Sequence, residues 1–160
     1  FRIRLPGPIG VAERQPRKCC VAAAEAARNK MVAVLDEDLS LLRTTERVFG
    51  RFGVEVYADH DPLRWLNVVT DLKRMPDLFL VGYHLRGRDC SAQVEIVRRK
   101  WREQSPKVVV MIDESRNRGA LGASEDVLIL RKPLSEDDLE WMLEILASER
   151  ELPKDEFTCR

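Results

Sequence analysis

From Lys30 onward the chain repeats one pattern five times: a short unbroken apolar run, then a longer stretch with apolar residues three or four apart. The runs cover 31–35, 54–57, 78–81, 108–112 and 127–130 and are rich in Val, Ile and Leu. A strand with one wet face would alternate apolar and polar, so unbroken runs predict strands covered on both faces. The intervening stretches predict helices. Leu41, Thr45, Val48 and Phe52 fall on one stripe. Asp61-Pro62 supplies an N-cap and a first-turn proline for a helix carrying Leu63, Leu66 and Val69. Val94, Val97 and Trp101 mark a third helix. Ser135 and Asp138 resemble a capping box ahead of a last helix carrying Leu139, Met142, Leu143 and Leu146. Between Asp113 and Asp126 apolar residues are few, and Gly119 and Gly122 interrupt. Each glycine costs about 1 kcal/mol relative to alanine inside a helix, so the fourth helix is predicted to be short or irregular.

Strand–helix alternation predicts an α/β fold, a doubly wound five-stranded parallel sheet with helices on both faces. Functional groups in such a sheet gather at the carboxyl ends of its strands. That rule selects Asp36-Glu37-Asp38, Gly82, Met111-Ile112-Asp113 and Lys132-Pro133. Residues 1–8 read as a terminal strand followed by the breaker Pro6-Gly7-Pro8. Residues 9–29 read as a linker, 30–150 as the domain, and 151–160 as a tail. The chain lacks an initiator Met and reads as a piece of a longer one.

Lys+Arg and Asp+Glu are both 27, so the formal net charge is zero. That argues against a general attraction to nucleic acid or to an anionic membrane. The basic run from Arg98 to Arg102 fits a solvated helix face. No apolar run is long enough to span a bilayer, and the start is too short for a signal peptide. Cys19, Cys20, Cys90 and Cys159 show no metal-ligand spacing, and reduced thiols in a cytoplasmic protein are expected. The acids after the first strand are of the type that holds a hard divalent cation, although Asp38 can equally cap the next helix.

Over about residues 30–150 the motifs "VAVLDED", "PDLFLVGYHLRGRD" and "RKP" come in an order and at a separation that resemble the receiver domain of two-component response regulators. The resemblance implies a flavodoxin-like (CheY-like) fold. It implies that Asp36 and Glu37 stand where the family's Mg²⁺-binding acids stand. It also implies that Lys132 stands where the family's phosphoryl-contacting lysine precedes a proline, here Pro133, commonly across a cis bond. Three positions depart from the family. Gly82 lies where the phosphoacceptor aspartate belongs, and glycine has no nucleophile from which an acyl phosphate could form. Met111 replaces the hydroxyl residue that relays phosphorylation, and a thioether donates no hydrogen bond. Ile129 replaces the switching aromatic. Asp77 and Asp89 do not match the acceptor position, Asp113 follows the fourth strand within reach of the pocket, and His84 reads as a surface residue of the loop.

The expectation is therefore a degenerate receiver, a pseudo-receiver that is not an enzyme and is not phosphorylated. It would act as a protein-interaction module, with no cofactor beyond weak Mg²⁺ binding at Asp36 and Glu37. Because Asp36, Glu37 and Lys132 persist, Gly82→Asp would be expected to restore acceptance of phosphate but not signalling. Two readings of Trp141 and Ile145 stand side by side: they widen the apolar face of the last helix toward solvent, as a surface for a partner or a homodimer, or Trp141 packs over its own strand edge. The phrase "FRIRLP" at residues 1–6 resembles the closing strand of histidine-kinase ATPase domains. That arrangement implies a hybrid sensor histidine kinase, with its kinase domains as partners in cis. An alternative is a pseudo-receiver that senses a second-messenger nucleotide through Arg116, Arg118 and Arg131. An active phosphoacceptor receiver would need an acid in place of Gly82.

Overall fold

The computed structural model describes residues 25–113 and 127–147. Along the chain run β1 (Met31–Leu35), α1 (Leu39–Gly50), β2 (Glu55–Asp59), α2 (Pro62–Asp71), β3 (Leu78–Gly82), β4 (His84–Leu85), β5 (Arg88–Asp89), α3 (Ser91–Lys100), a 3-10 turn (Arg102–Gln104), β6 (Val108–Ile112), β7 (Val127–Arg131) and α4 (Glu136–Ala147). Five strands form one parallel sheet in the order β2-β1-β3-β6-β7. This is the doubly wound, flavodoxin-like arrangement that the sequence predicts. The chain steps outward from β1 to β2, then returns to the other side of β1 for β3. The reversal between β1 and β3 opens the crevice where such sheets place their functional groups.

The period-two alternation of strands divides the core into two faces. Val32, Val34, Leu78, Leu80, Val109, Met111, Leu128 and Leu130 pack with Val48 and Phe49 of α1 and Leu139, Met142 and Leu143 of α4. Ala33, Leu35, Phe79, Val81, Val108, Val110, Ile112 and Ile129 pack with Trp65 and Val69 of α2 and Val94, Val97 and Trp101 of α3. Helix starts are built as expected. Asp38 Oδ1 accepts from the backbone N–H groups of Ser40 and Leu41, and Asp61 Oδ1 from those of Leu63 and Arg64. At α4 the Ser135 hydroxyl accepts from the Asp138 N–H at 3.1 Å, while Asp138 Oδ2 accepts from the Ser135 N–H at 2.9 Å. That is a reciprocal capping box with Asp in the place more often taken by Glu.

Four expectations shift. The β2 strand covers Glu55–Asp59 rather than 54–57, because the edge strand continues to the end of its ladder with β1. In α2 the buried residues are Trp65 and Val69, one turn apart, whereas Leu63 in the first turn is 69% exposed. Trp141 and Ile145 are not solvent-facing: both are buried in the core cluster of α4, which packs on the sheet and on α1 at once. The apolar face of α4 is wide because it serves two neighbours, and these two residues form no exposed interaction surface. Packing also begins before Lys30, since Ala27 is fully buried and the Asn29 N–H donates to the Gly53 carbonyl at 3.0 Å. The predicted fourth helix, the strand at 1–8, most of the 9–29 linker and the 151–160 tail lie outside the described residues. No helix among the described residues is long and apolar enough to cross a membrane.

The α2 phase is directly testable. Trp65 is fully buried and meets Phe79 edge-on at 6.3 Å between ring centroids. Trp65→Ala is expected to destabilise by about 3–5 kcal/mol, the range for emptying a large aromatic from a core. Leu63→Ala is expected to stay within about 0.5 kcal/mol. Urea unfolding of both variants checks this, and similar losses would mean the helix presents a different face.

Candidate functional site

The register of the sheet determines which strand-end residues share a face. Val34, Leu80, Val109 and Leu128 lie in one row across four strands. Two residues further along, the same alternation brings Asp36, Gly82 and Met111 to the carboxyl edge of that face, with Lys132 just past β7. Ile129 lies on the opposite face, buried among the α2 and α3 side chains. The structure therefore gathers Asp36, Gly82, Met111 and Lys132, and separates Ile129 from them by the thickness of the sheet.

Asp36 is 1% exposed and forms an ion pair with Lys132, with Nζ 2.6 Å from Oδ2. Its Oδ1 accepts the Asp38 N–H at 2.8 Å, so the carboxylate is held at both oxygens. Burial pushes its pKa up, and Lys132 and the Asp38 N–H oppose that without cancelling it. Lys132 is followed by Pro133 across a cis peptide bond, as the family resemblance implied. The Lys132 N–H donates to the Ile112 carbonyl at 2.8 Å, which anchors the start of that loop to the neighbouring strand.

The space beside Gly82 is filled. A Cβ built on Gly82 would lie 2.4 Å from Asp36 Oδ2 and 2.9 Å from its Cγ. No real Cβ tolerates such a contact, so the Asp36 carboxylate occupies the volume that a side chain at position 82 would need. The expectation that Gly82→Asp alone restores the acceptor does not fit this geometry. Met111 is fully buried opposite Gly82 in the ladder and belongs to the core.

Glu37 does not join Asp36. It is exposed and accepts the backbone N–H of Arg86. Arg86 belongs to a small antiparallel hairpin, β4–β5, in which His84 pairs with Asp89 and Leu85 with Arg88. Its two central residues, Arg86 (φ 50°) and Gly87 (φ 77°), both lie in the left-handed region that a type I′ turn requires. The Arg86 guanidinium then reaches Asp61 Oδ2 at 2.9 Å, so one residue of the hairpin bridges the β1–α1 loop and the start of α2.

A second charged group sits at the end of β2. Asp59 is buried and accepts two hydrogen bonds from the Arg64 guanidinium, at 2.5 and 2.6 Å. It also accepts the Tyr57 hydroxyl at 3.1 Å and the Asp61 N–H at 2.9 Å. The Arg64 fork holds its carboxyl well below the usual carboxylate range.

The two acids that follow β1 do not converge. Asp36 is committed to Lys132, Glu37 faces a backbone N–H, and Gly82 offers no ligand. Among the described residues no three His, Cys, Asp or Glu side chains come together as a metal site. The other acids considered as acceptors are placed elsewhere. Asp77 lies at the amino end of β3, bound to the Met31 N–H and near Lys30 and Arg74. Asp89 Oδ1 accepts the Ser91 N–H at the start of α3. Asp113 is exposed just past β6, and His84 is half-buried edge-on against Tyr83. Cys90 is buried and free, and burial pushes its thiol up to about 12, so it is unreactive. Arg116 and Arg118, named for a nucleotide site, lie outside the described residues; Arg131 ends β7, half-buried.

Sequence reasoning missed the hairpin and the Asp59 group. Two-residue strands carry no periodicity, and the available signal was Gly87 in the second central position of Leu85-Arg86-Gly87-Arg88. The Asp59–Arg64 pair spans a strand end and a helix, so no single element's pattern contains it.

Solved structures place this fold. The chain matches a response regulator receiver protein from Sinorhizobium medicae WSM419 with a TM-score of 0.62 and 16% identity, over 74% of this chain and 94% of that one. It matches the chemotaxis response regulator CheY4 of Vibrio cholerae with a TM-score of 0.62 and 15% identity, over 74% of this chain and 98% of that one. The receiver domain from the hybrid histidine kinase CckA matches with a TM-score of 0.60 and 15% identity, over 74% of this chain and 99% of that one. No family model and no curated protein matches the sequence. The likeness establishes the fold, which is that of the receiver domains of two-component response regulators.

Asp36 and Asp59 have opposite linkage to pH. Asp59, with its pKa lowered, contributes stability that is present above its unfolded value and lost as pH falls through its folded value. Asp36, with its pKa raised, contributes stability that is present below its unfolded value and lost as pH rises through its folded value. Carboxyl ¹³C NMR titration is expected to place the Asp36 midpoint above 3.8 and the Asp59 midpoint below it. Arg64→Gln is expected to raise the Asp59 midpoint and leave that of Asp36 in place. An unmoved Asp59 midpoint would show that the guanidinium does not set it.

Proposed function

We propose that this chain is a pseudo-receiver: a receiver fold that works by contact in two-component signalling and takes no phosphoryl group. The observation that carries the reading is the state of position 82. The acceptor carboxylate is absent there, and its volume is occupied by Asp36, which is already paired with Lys132. Met111, buried in the core with no hydroxyl, supports the same reading, because it cannot follow a phosphoryl group by hydrogen bonding. The domain itself is then not an enzyme. Its partners are signalling proteins, and the phrase at residues 1–6 favours the kinase domains of a hybrid histidine kinase in cis, in the cytoplasm. Trp141 and Ile145 are buried, so a homodimer through those two side chains is not part of the proposal.

Incubation with acetyl phosphate and Mg²⁺, followed by intact-mass measurement under neutral conditions, tests the reading. The wild-type mass is expected to be unchanged. Gly82→Asp alone is also expected to stay unmodified, because Asp36 stands in the volume of the new side chain. A one-phosphoryl, acid-labile adduct on the wild-type protein would refute the proposal.

A further inference from the structure

We infer that Asp36 is a substitute carboxylate, which locks Lys132 in place permanently and makes glycine obligatory at position 82. Asp36 follows β1 and Lys132 follows β7, and in the sheet β3 and β6 stand between those two strands. The 2.6 Å pair therefore ties together loops that the sheet itself does not join. It passes over the one strand end that has no side chain. Any residue other than glycine at 82 would put a Cβ 2.4 Å from Asp36 Oδ2.

Asp36 cannot move aside cheaply. It is 1% exposed, and turning away would forfeit both the Lys132 contact and the Asp38 N–H. A buried charge that loses its partner is strongly disfavoured. Lys132 is itself only 19% exposed at the side chain, so the ammonium has little water to fall back on. The pair is thus a conformational device with one stable setting. It holds the start of the β7–α4 loop at Lys132, where a switchable receiver would need that loop to respond. This extends the pseudo-receiver reading, but its test uses no phosphodonor, so either can fail without the other.

Two measurements on the full chain test the lock. The first is a double-mutant cycle in urea. Gly82→Ala is expected to lower the unfolding midpoint in the wild-type background and to leave it unchanged in the Asp36→Ala background, where the clash is gone. If Gly82→Ala fails to fold, recovery of folding in the Asp36→Ala, Gly82→Ala double variant counts for the lock; failure there counts against it. An equal fall of the midpoint in both backgrounds overturns it. The second is exchange of the backbone amide at position 132, which donates to the Ile112 carbonyl. Asp36→Ala and Lys132→Met are each expected to raise it about tenfold, the scale of one lost contact to a charged group, and the double variant no further. Unchanged exchange of this amide in both single variants overturns the lock.

Discussion

A carboxylate and an ammonium held 2.6 Å apart at the carboxyl edge of the sheet set the character of this domain. Taking both charges out of water is costly, and their attraction largely offsets that cost without a large surplus. Such a pair is poor evidence for added stability. Its significance lies in asymmetry: the pair as a whole is tolerable, whereas either member alone is strongly disfavoured. A contact of that kind behaves as a constraint rather than as glue. Asp36 and Lys132 must be found together, and everything at the crevice has to be arranged around them, beginning with the absence of a side chain at Gly82.

The rim above this pair follows different energetics. Arg86 is mostly exposed, and its contact with Asp61 is an ion pair in high dielectric, of the class worth about 0–1 kcal/mol. Its backbone N–H to Glu37 is likewise at the surface. The hairpin is therefore positioned mainly by its own turn chemistry, with two left-handed residues, and by the burial of Tyr83 and Leu85 beneath it. The β1–β3 crevice thus has a rigid charged floor and a rim joined by weak, water-exposed contacts. If the domain responds to a partner, the rim can yield at small cost, whereas the floor cannot.

Much of this was legible in the sequence because it rests on periodicity. Unbroken Val/Ile/Leu runs gave the five strands within two residues at each end, since strands buried on both faces leave no room for polar residues. The N-caps at Asp61 and Ser135 were legible because capping requires particular side chains at fixed offsets. The strand-end rule brought Asp36, Gly82, Met111 and Lys132 together before any coordinates. What the sequence could not carry was direction and distance. Glu37 is next to Asp36 yet points to the hairpin, because consecutive residues beyond a strand diverge. Trp141 seemed surplus to the stripe of α4, but a helix wedged between a sheet and another helix buries more than half its circumference. Trp65 was overlooked in favour of Leu63, since both have a helical-spacing partner and only packing decides between them.

The same distinction bears on the proposed absence of a phosphoacceptor. Deleting a carboxylate from an otherwise intact receiver would leave Lys132 partly buried and unpaired, with an empty volume before it. Both are unfavourable, one by desolvation and the other by lost contacts. Here a single side chain removes both problems, because Asp36 fills the volume and neutralises the lysine. The bare Cα at position 82 and the placement of Asp36 are therefore one structural fact seen from two strands. Asp36 thereby closes the space beside Gly82.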